Sequence, residues 1–117
     1  MSENKQINYV EFAAKDLVAS QTFFEQAFAW QFQSWGDEYL SFSNAGIEGG
    51  FYRAEKHNDC EAGGVLIVLY ASALESTLAD VRAAGGKISK EIFSFPGGRR
   101  FHFIEPSGNE LAVWSDK

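Results

Sequence analysis

Phe95-Pro96-Gly97-Gly98-Arg99-Arg100-Phe101-His102-Phe103-Ile104-Glu105-Pro106-Ser107-Gly108-Asn109-Glu110-Leu111-Ala112-Val113-Trp114 decides the fold. Two β-prone runs flank Glu105-Pro106-Ser107-Gly108, where proline in second place sets φ and glycine in fourth place completes a type I turn. Alternation gives the predicted hairpin two faces. Phe101, Phe103, Leu111 and Val113 share one face and suit a core. Arg100, His102, Ile104, Glu110, Ala112 and Trp114 share the other, and their charge, imidazole and indole suit the wall of a cavity.

Working outward from the hairpin, Lys87 to Phe95 reads as a strand, and Gly97-Gly98 as the flexible turn that follows it. Before it, Leu74, Leu78 and Val81 give a helix its apolar stripe. Ser72 and Glu75 have the spacing of a capping box, and Gly85-Gly86 ends the helix as a left-handed cap would. Val65 to Tyr70 is continuously apolar, the pattern of a strand buried on both faces. Ala54 to Gly64 is a polar loop.

The first half repeats this order. Ile7 to Ala13 reads as a strand, and Asp16 caps a helix that carries Leu17, Gln21, Phe24 and Phe28 on one face. Three short β runs follow: Trp30 to Trp35, Glu38 to Ser43 and Ile47 to Arg53. Gly49-Gly50 inside the last run marks a bulge or a close approach by another group, or else a poorly ordered edge. The order is βαβββ twice, a duplication of a unit of about 55 residues. The chain is thus predicted to be one α+β domain, 1–117, with module 1 at about residues 5–54 and module 2 at about 63–116. Two such modules would curve their sheets around a shared cavity, with the helices outside.

Composition narrows the partners. The net charge of −6 disfavours nucleic acid and anionic membranes, and no apolar run is long enough to span a bilayer. Phe supplies 11 residues, so the core or a pocket is rich in rings. The single Cys60 has no intrachain disulfide partner and points to a reducing cytoplasm; among acids in a polar loop it reads as a plain thiol. Dinucleotide, phosphate-loop, Cys-x-x-Cys and nucleophile-elbow motifs are all missing.

Three stretches together resemble the vicinal-oxygen-chelate superfamily, which holds glyoxalase I, extradiol dioxygenases and the bleomycin-resistance proteins. They are Asp16-Leu17 with Phe23 to Trp30, then Leu78 to Gly86, then Phe101 to Leu111. Gly49-Gly50-Phe51 is similar to a small glyoxalase-related subgroup. The resemblance implies paired βαβββ modules around an open barrel, a homodimer, and, in the enzymes, a divalent metal bound by His and Glu from four strands. Carried over by position, the four ligand sites fall on Tyr9, Gly50 (with Glu48 two residues away), Leu66 and Ala112. Leu66 and Ala112 have no donor atom and a phenol is a poor ligand, so no metal and no cofactor is expected at these positions.

The same alignment puts His102 where extradiol dioxygenases carry a catalytic tyrosine. His102 is then a general base, a hydrogen bonder to a ligand, or a structural histidine. Tyr9, Glu11, Glu48, Gly50, Leu66, Tyr70, Arg100, His102, Glu110, Ala112 and Trp114 are the candidate ligand-binding set, with Glu11 or Glu110 available to pair with Arg100. The expected function is a small-molecule-binding domain working without a catalytic metal, on a planar or amphipathic ligand, as in the resistance proteins. One alternative is a lyase, isomerase or dioxygenase of the same superfamily with its divalent metal re-sited. The other is a structural or partner-binding domain whose cavity its own side chains fill.

Overall fold

A computed structural model describes residues 2–117. The elements run β1 (Tyr9–Ala14), α1 (Leu17–Phe28), β2 (Gln31–Ser34), β3 (Tyr39–Ser43), β4 (Glu48–Arg53), β5 (Ile67–Tyr70), α2 (Leu74–Ala83), β6 (Lys87–Phe95), β7 (Gly98–Ile104) and β8 (Glu110–Ser115). The duplicated βαβββ order predicted above is the observed one.

Each module forms a four-stranded sheet, in the order β1-β4-β3-β2 and β5-β8-β7-β6. Within each, the strand before the helix pairs in parallel with the last strand, and the other pairings are antiparallel. The two sheets are not closed into a barrel. The outer strands β1 and β5 line a shared apolar groove of about 470 Å³.

Helix α1 starts where Asp16 accepts from the Ala19 amide at 3.0 Å, as expected of an N-cap. It ends without glycine: Ala29 takes φ 59° and donates to the Glu25 carbonyl. Helix α2 differs from expectation at its start. Ala73 is the N-cap residue and makes no side-chain bond, so the Ser72–Glu75 capping box does not form. Glu75 turns away to the Arg99 guanidinium on β7. At the other end Gly85 supplies the positive φ expected there.

The core lies between the helices and the two sheets. Phe12, Phe24, Trp30, Phe42 and Phe51 fill it on the first sheet, and Phe101, Phe103, Leu111 and Val113 on the second. Phe23 of α1 reaches Phe103 at 5.6 Å between ring centres, so one helix serves both halves. Strand β5 is shorter than predicted and half-buried on one face only: Val65 precedes it exposed, and Val68 and Tyr70 face outward.

A polar staple joins the halves. The Glu105–Gly108 turn closes through the Gly108 amide and the Glu105 carbonyl at 2.8 Å. The Glu105 carboxyl group then accepts from Ser20 Oγ, the Ser107 amide, the Asn109 amide and Asn109 Nδ2. Asn109 Nδ2 also donates to the Ala13 carbonyl, and Ser107 Oγ to the Asp16 carbonyl. The turn is a buried clamp on the β1–α1 junction rather than a surface loop.

Candidate functional site

The faces turned away from the helices carry the residues expected to line a cavity, but they lie on two separate sheets. Tyr9 and Glu11 of β1 stand in register with Glu48 and Gly50 of β4 on the first. Tyr70, Arg100, His102, Glu110, Ala112 and Trp114 belong to the second, where His102 pairs in register with Ala112 and Arg100 with Trp114. Leu66 lies just before β5. The surface grooves divide the set too: Tyr9 and Glu48 line one, Glu11 another, Tyr70 a third and Glu110 a fourth. The single central cavity expected from the sequence is therefore corrected to two outer faces, because the sheets stay apart.

On the first face the organising group is Tyr39, which sequence reasoning passed over. Its hydroxyl meets Tyr9 Oη at 2.6 Å and donates to Glu11 Oε2 at 2.8 Å. Burial and these two partners push its phenol well above the usual range. The sheet admits the phenol because position 50 is glycine: a Cβ there would collide with the Tyr39 hydroxyl and the Leu40 carbonyl. The close approach expected at Gly49-Gly50 thus comes from within the protein. At Gly49 the crowding groups are the Val10 carbonyl and the Phe42 ring. Alternation along β3, with Leu40 and Phe42 inward, was the available signal for Tyr39.

On the second face His102 is 2% and Glu110 7% exposed. His102 Nδ1 lies 3.0 Å from Glu110 Oε2. The other carboxyl oxygen, Oε1, accepts from the Cys60 amide at 3.1 Å. Burial pushes the Glu110 carboxyl up, but the bonds from Cys60 and His102 outweigh it, and the group titrates below the ordinary glutamate range. The Cys60 thiol is pushed up, first by burial and then by the Glu110 carboxylate. Cys60 arrives on the 54–64 loop, which is pinned to β8: the Glu110 amide donates to the Asn58 carbonyl, and the Asn58 amide to Asn109 Oδ1. The sequence view of Cys60 as an isolated loop thiol missed this seat.

Arg100 pairs with neither Glu11 nor Glu110; among the described residues it has no ion-pair partner, a correction to the sequence expectation. Its guanidinium sits 5.3 Å from the Phe93 ring centre and 5.6 Å from that of Phe95. Its Nε is buried without a hydrogen-bond partner, as is His102 Nε2. Trp114 touches Phe95 and Tyr70, and the Tyr70 hydroxyl donates to Asp116 Oδ1 at 2.6 Å.

The family model of the glyoxalase/bleomycin resistance protein/dioxygenase superfamily matches residues 6–113. The chain belongs to that superfamily. Solved structures agree on the fold of this superfamily domain. A glyoxalase-related enzyme from Fulvimarina pelagi superimposes with TM-score 0.78 at 16% identity, covering 95% of this chain and 88% of that one. A family enzyme from Burkholderia phytofirmans PsJN gives 0.77 at 15% identity, over 94% of this chain and 98% of that one. Lactoylglutathione lyase from Agrobacterium tumefaciens gives 0.72 at 14% identity, over 97% and 96%. No curated protein matches the sequence.

The superfamily's metal positions do not fit a metal in this domain. Tyr9 is engaged with Tyr39, the space over Gly50 is taken by that same phenol, and Leu66 and Ala112 offer no donor.

Proposed function

We propose that this superfamily domain binds a small planar anion, a carboxylate in the simplest case, on the outer face of its second sheet. It does so without a metal at the family positions. The observation that carries this reading is Arg100. A guanidinium held between Phe93 and Phe95, with Nε buried and unpartnered, is an unusual state in a chain where acids outnumber bases 16 to 10. A buried donor without an acceptor costs about 1–3 kcal/mol, which an incoming carboxylate would offset. Tyr70, Phe95 and Trp114 supply the aromatic surface for the planar part.

Two copies of the chain meeting through these faces would also cover Tyr9, Val68 and Tyr70, which are 41%, 42% and 50% exposed. Light scattering on purified protein tests that association.

A thermal-shift screen in EDTA tests the binding itself, comparing small aromatic and aliphatic carboxylates with the matching amides. Carboxylates are expected to raise the melting temperature and amides to leave it alone, and Arg100→Gln should erase the difference. If acids and amides behave alike, or if Arg100→Gln keeps the selectivity, the reading falls.

A further inference from the structure

The 54–64 loop brings a thiol to the buried His102–Glu110 pair, which neighbours Ala112 on the second sheet but includes none of the four strand positions discussed above. One donor atom from each of Cys60, His102 and Glu110 lies within 4.8 Å of the other two. The three residues come from three separate segments: the loop, β7 and β8. We propose that they form a binding site for a zinc-class divalent cation.

The donor set suits that ion. A thiolate, an imidazole and a carboxylate are the three ligand types of tetrahedral zinc, and two negative charges with one neutral ring match a dication. Zinc bonds of 2.0–2.1 Å at tetrahedral angles separate neighbouring nitrogen and oxygen ligands by about 3.3 Å. His102 Nδ1 and Glu110 Oε2 are already 3.0 Å apart, so the ion replaces one hydrogen bond with two metal bonds and little motion. Binding displaces the Cys60 thiol proton to solvent.

The surroundings hold the ligands in place. The Cys60 amide fixes Glu110 Oε1, and Ser89 Oγ lies 3.5 Å from Oε2. His102 aims Nδ1 at Glu110, and its Nε2 has no protein partner. Three protein ligands leave a fourth position, and the groove lined by Glu61, Ser89, Lys90 and Ile104 opens on Cys60 and Glu110, giving water a route to it. The cation would also tie the loop to the second sheet.

The test uses the whole 117-residue chain, stripped with EDTA and kept reduced, titrated with cobalt(II) and zinc(II). One equivalent of cobalt should bind with a near-ultraviolet thiolate-to-cobalt charge-transfer band, and zinc should displace it. Cys60→Ser preserves the loop and should lose the band and weaken zinc binding tenfold or more. His57→Ala, which removes the exposed His57–Asp59 pair nearby, should leave both unchanged. A titration without the band, affinity unchanged in Cys60→Ser, or loss of binding in His57→Ala each overturns the site. Because the carboxylate screen is run in EDTA, its result stands or falls separately.

Discussion

Glu105 accepts a hydrogen bond from Ser20 at 2.6 Å across 85 positions of sequence, and both side chains are fully enclosed. All four groups around its carboxyl oxygens donate: the Ser20 hydroxyl, two backbone amides and the Asn109 side-chain amide. Glu105→Gln puts an NH2 among donors whichever oxygen it replaces. The expected loss is about 2–3 kcal/mol of unfolding free energy, read by urea denaturation. A midpoint equal to that of the unmodified chain would mean the staple adds no stability.

Gly49 and Gly50 differ in what crowds them. Gly49→Ala drives a methyl into the Val10 carbonyl, which is backbone and cannot swing away, and into the Phe42 ring. It should destabilise by about 1–3 kcal/mol. Gly50→Ala meets the end of the Tyr39 side chain as well as the Leu40 carbonyl, and should also displace the phenol from Glu11. Near-ultraviolet circular dichroism, combined with denaturation, separates the two variants.

Tyr39 should ionise late. Its folded value is raised above the ordinary 10.0, first by burial and then by its bonds to Tyr9 and Glu11. The protonated phenol is therefore favoured in the folded state. The stability it contributes is full below 10.0 and is lost as pH rises through the folded value. Phenolate absorbance followed to strongly alkaline pH should show a late phase that Tyr39→Phe removes.

The Arg99–Glu75 pair has the opposite sign. The hydrogen bond from Arg99 lowers the Glu75 carboxyl below 4.5, so its contribution is present above that value and fades as pH falls through the folded one. The pair lies at the surface, so the effect is small and shrinks in salt. Glu75→Gln should flatten the acid limb of a stability profile at low ionic strength. An identical limb in the variant would show that the bridge is energetically silent.

The fold could be read ahead of the structure because its signals are local. Alternation around Phe101 and Phe103, the helical spacing of Leu74, Leu78 and Val81, and turn residues at Pro106 and Gly108 each act over a few residues. The candidate sites depend on distant pairings, which local patterns do not encode. Cys60 meets Glu110 on a loop that Asn58 ties to Asn109 and Glu110. Glu75 has the spacing of a cap but pairs with Arg99 instead, which no count along the helix can anticipate. Val65 to Tyr70 is apolar throughout, yet one side of β5 stays uncovered, since the two sheets never close.

The clamp at Glu105 also sets an order of events during synthesis. The Ala13 carbonyl waits for Asn109, 96 positions later, and Ser20 waits for Glu105. Until the last strands leave the ribosome, the start of α1 is unlatched, and Phe23 lacks the Phe103 ring it packs against. Until then the apolar face that α1 turns to the second sheet has no cover from it, a state prone to aggregation. A chain truncated before Glu105 lacks both the clamp and β8, and should then accumulate in aggregates.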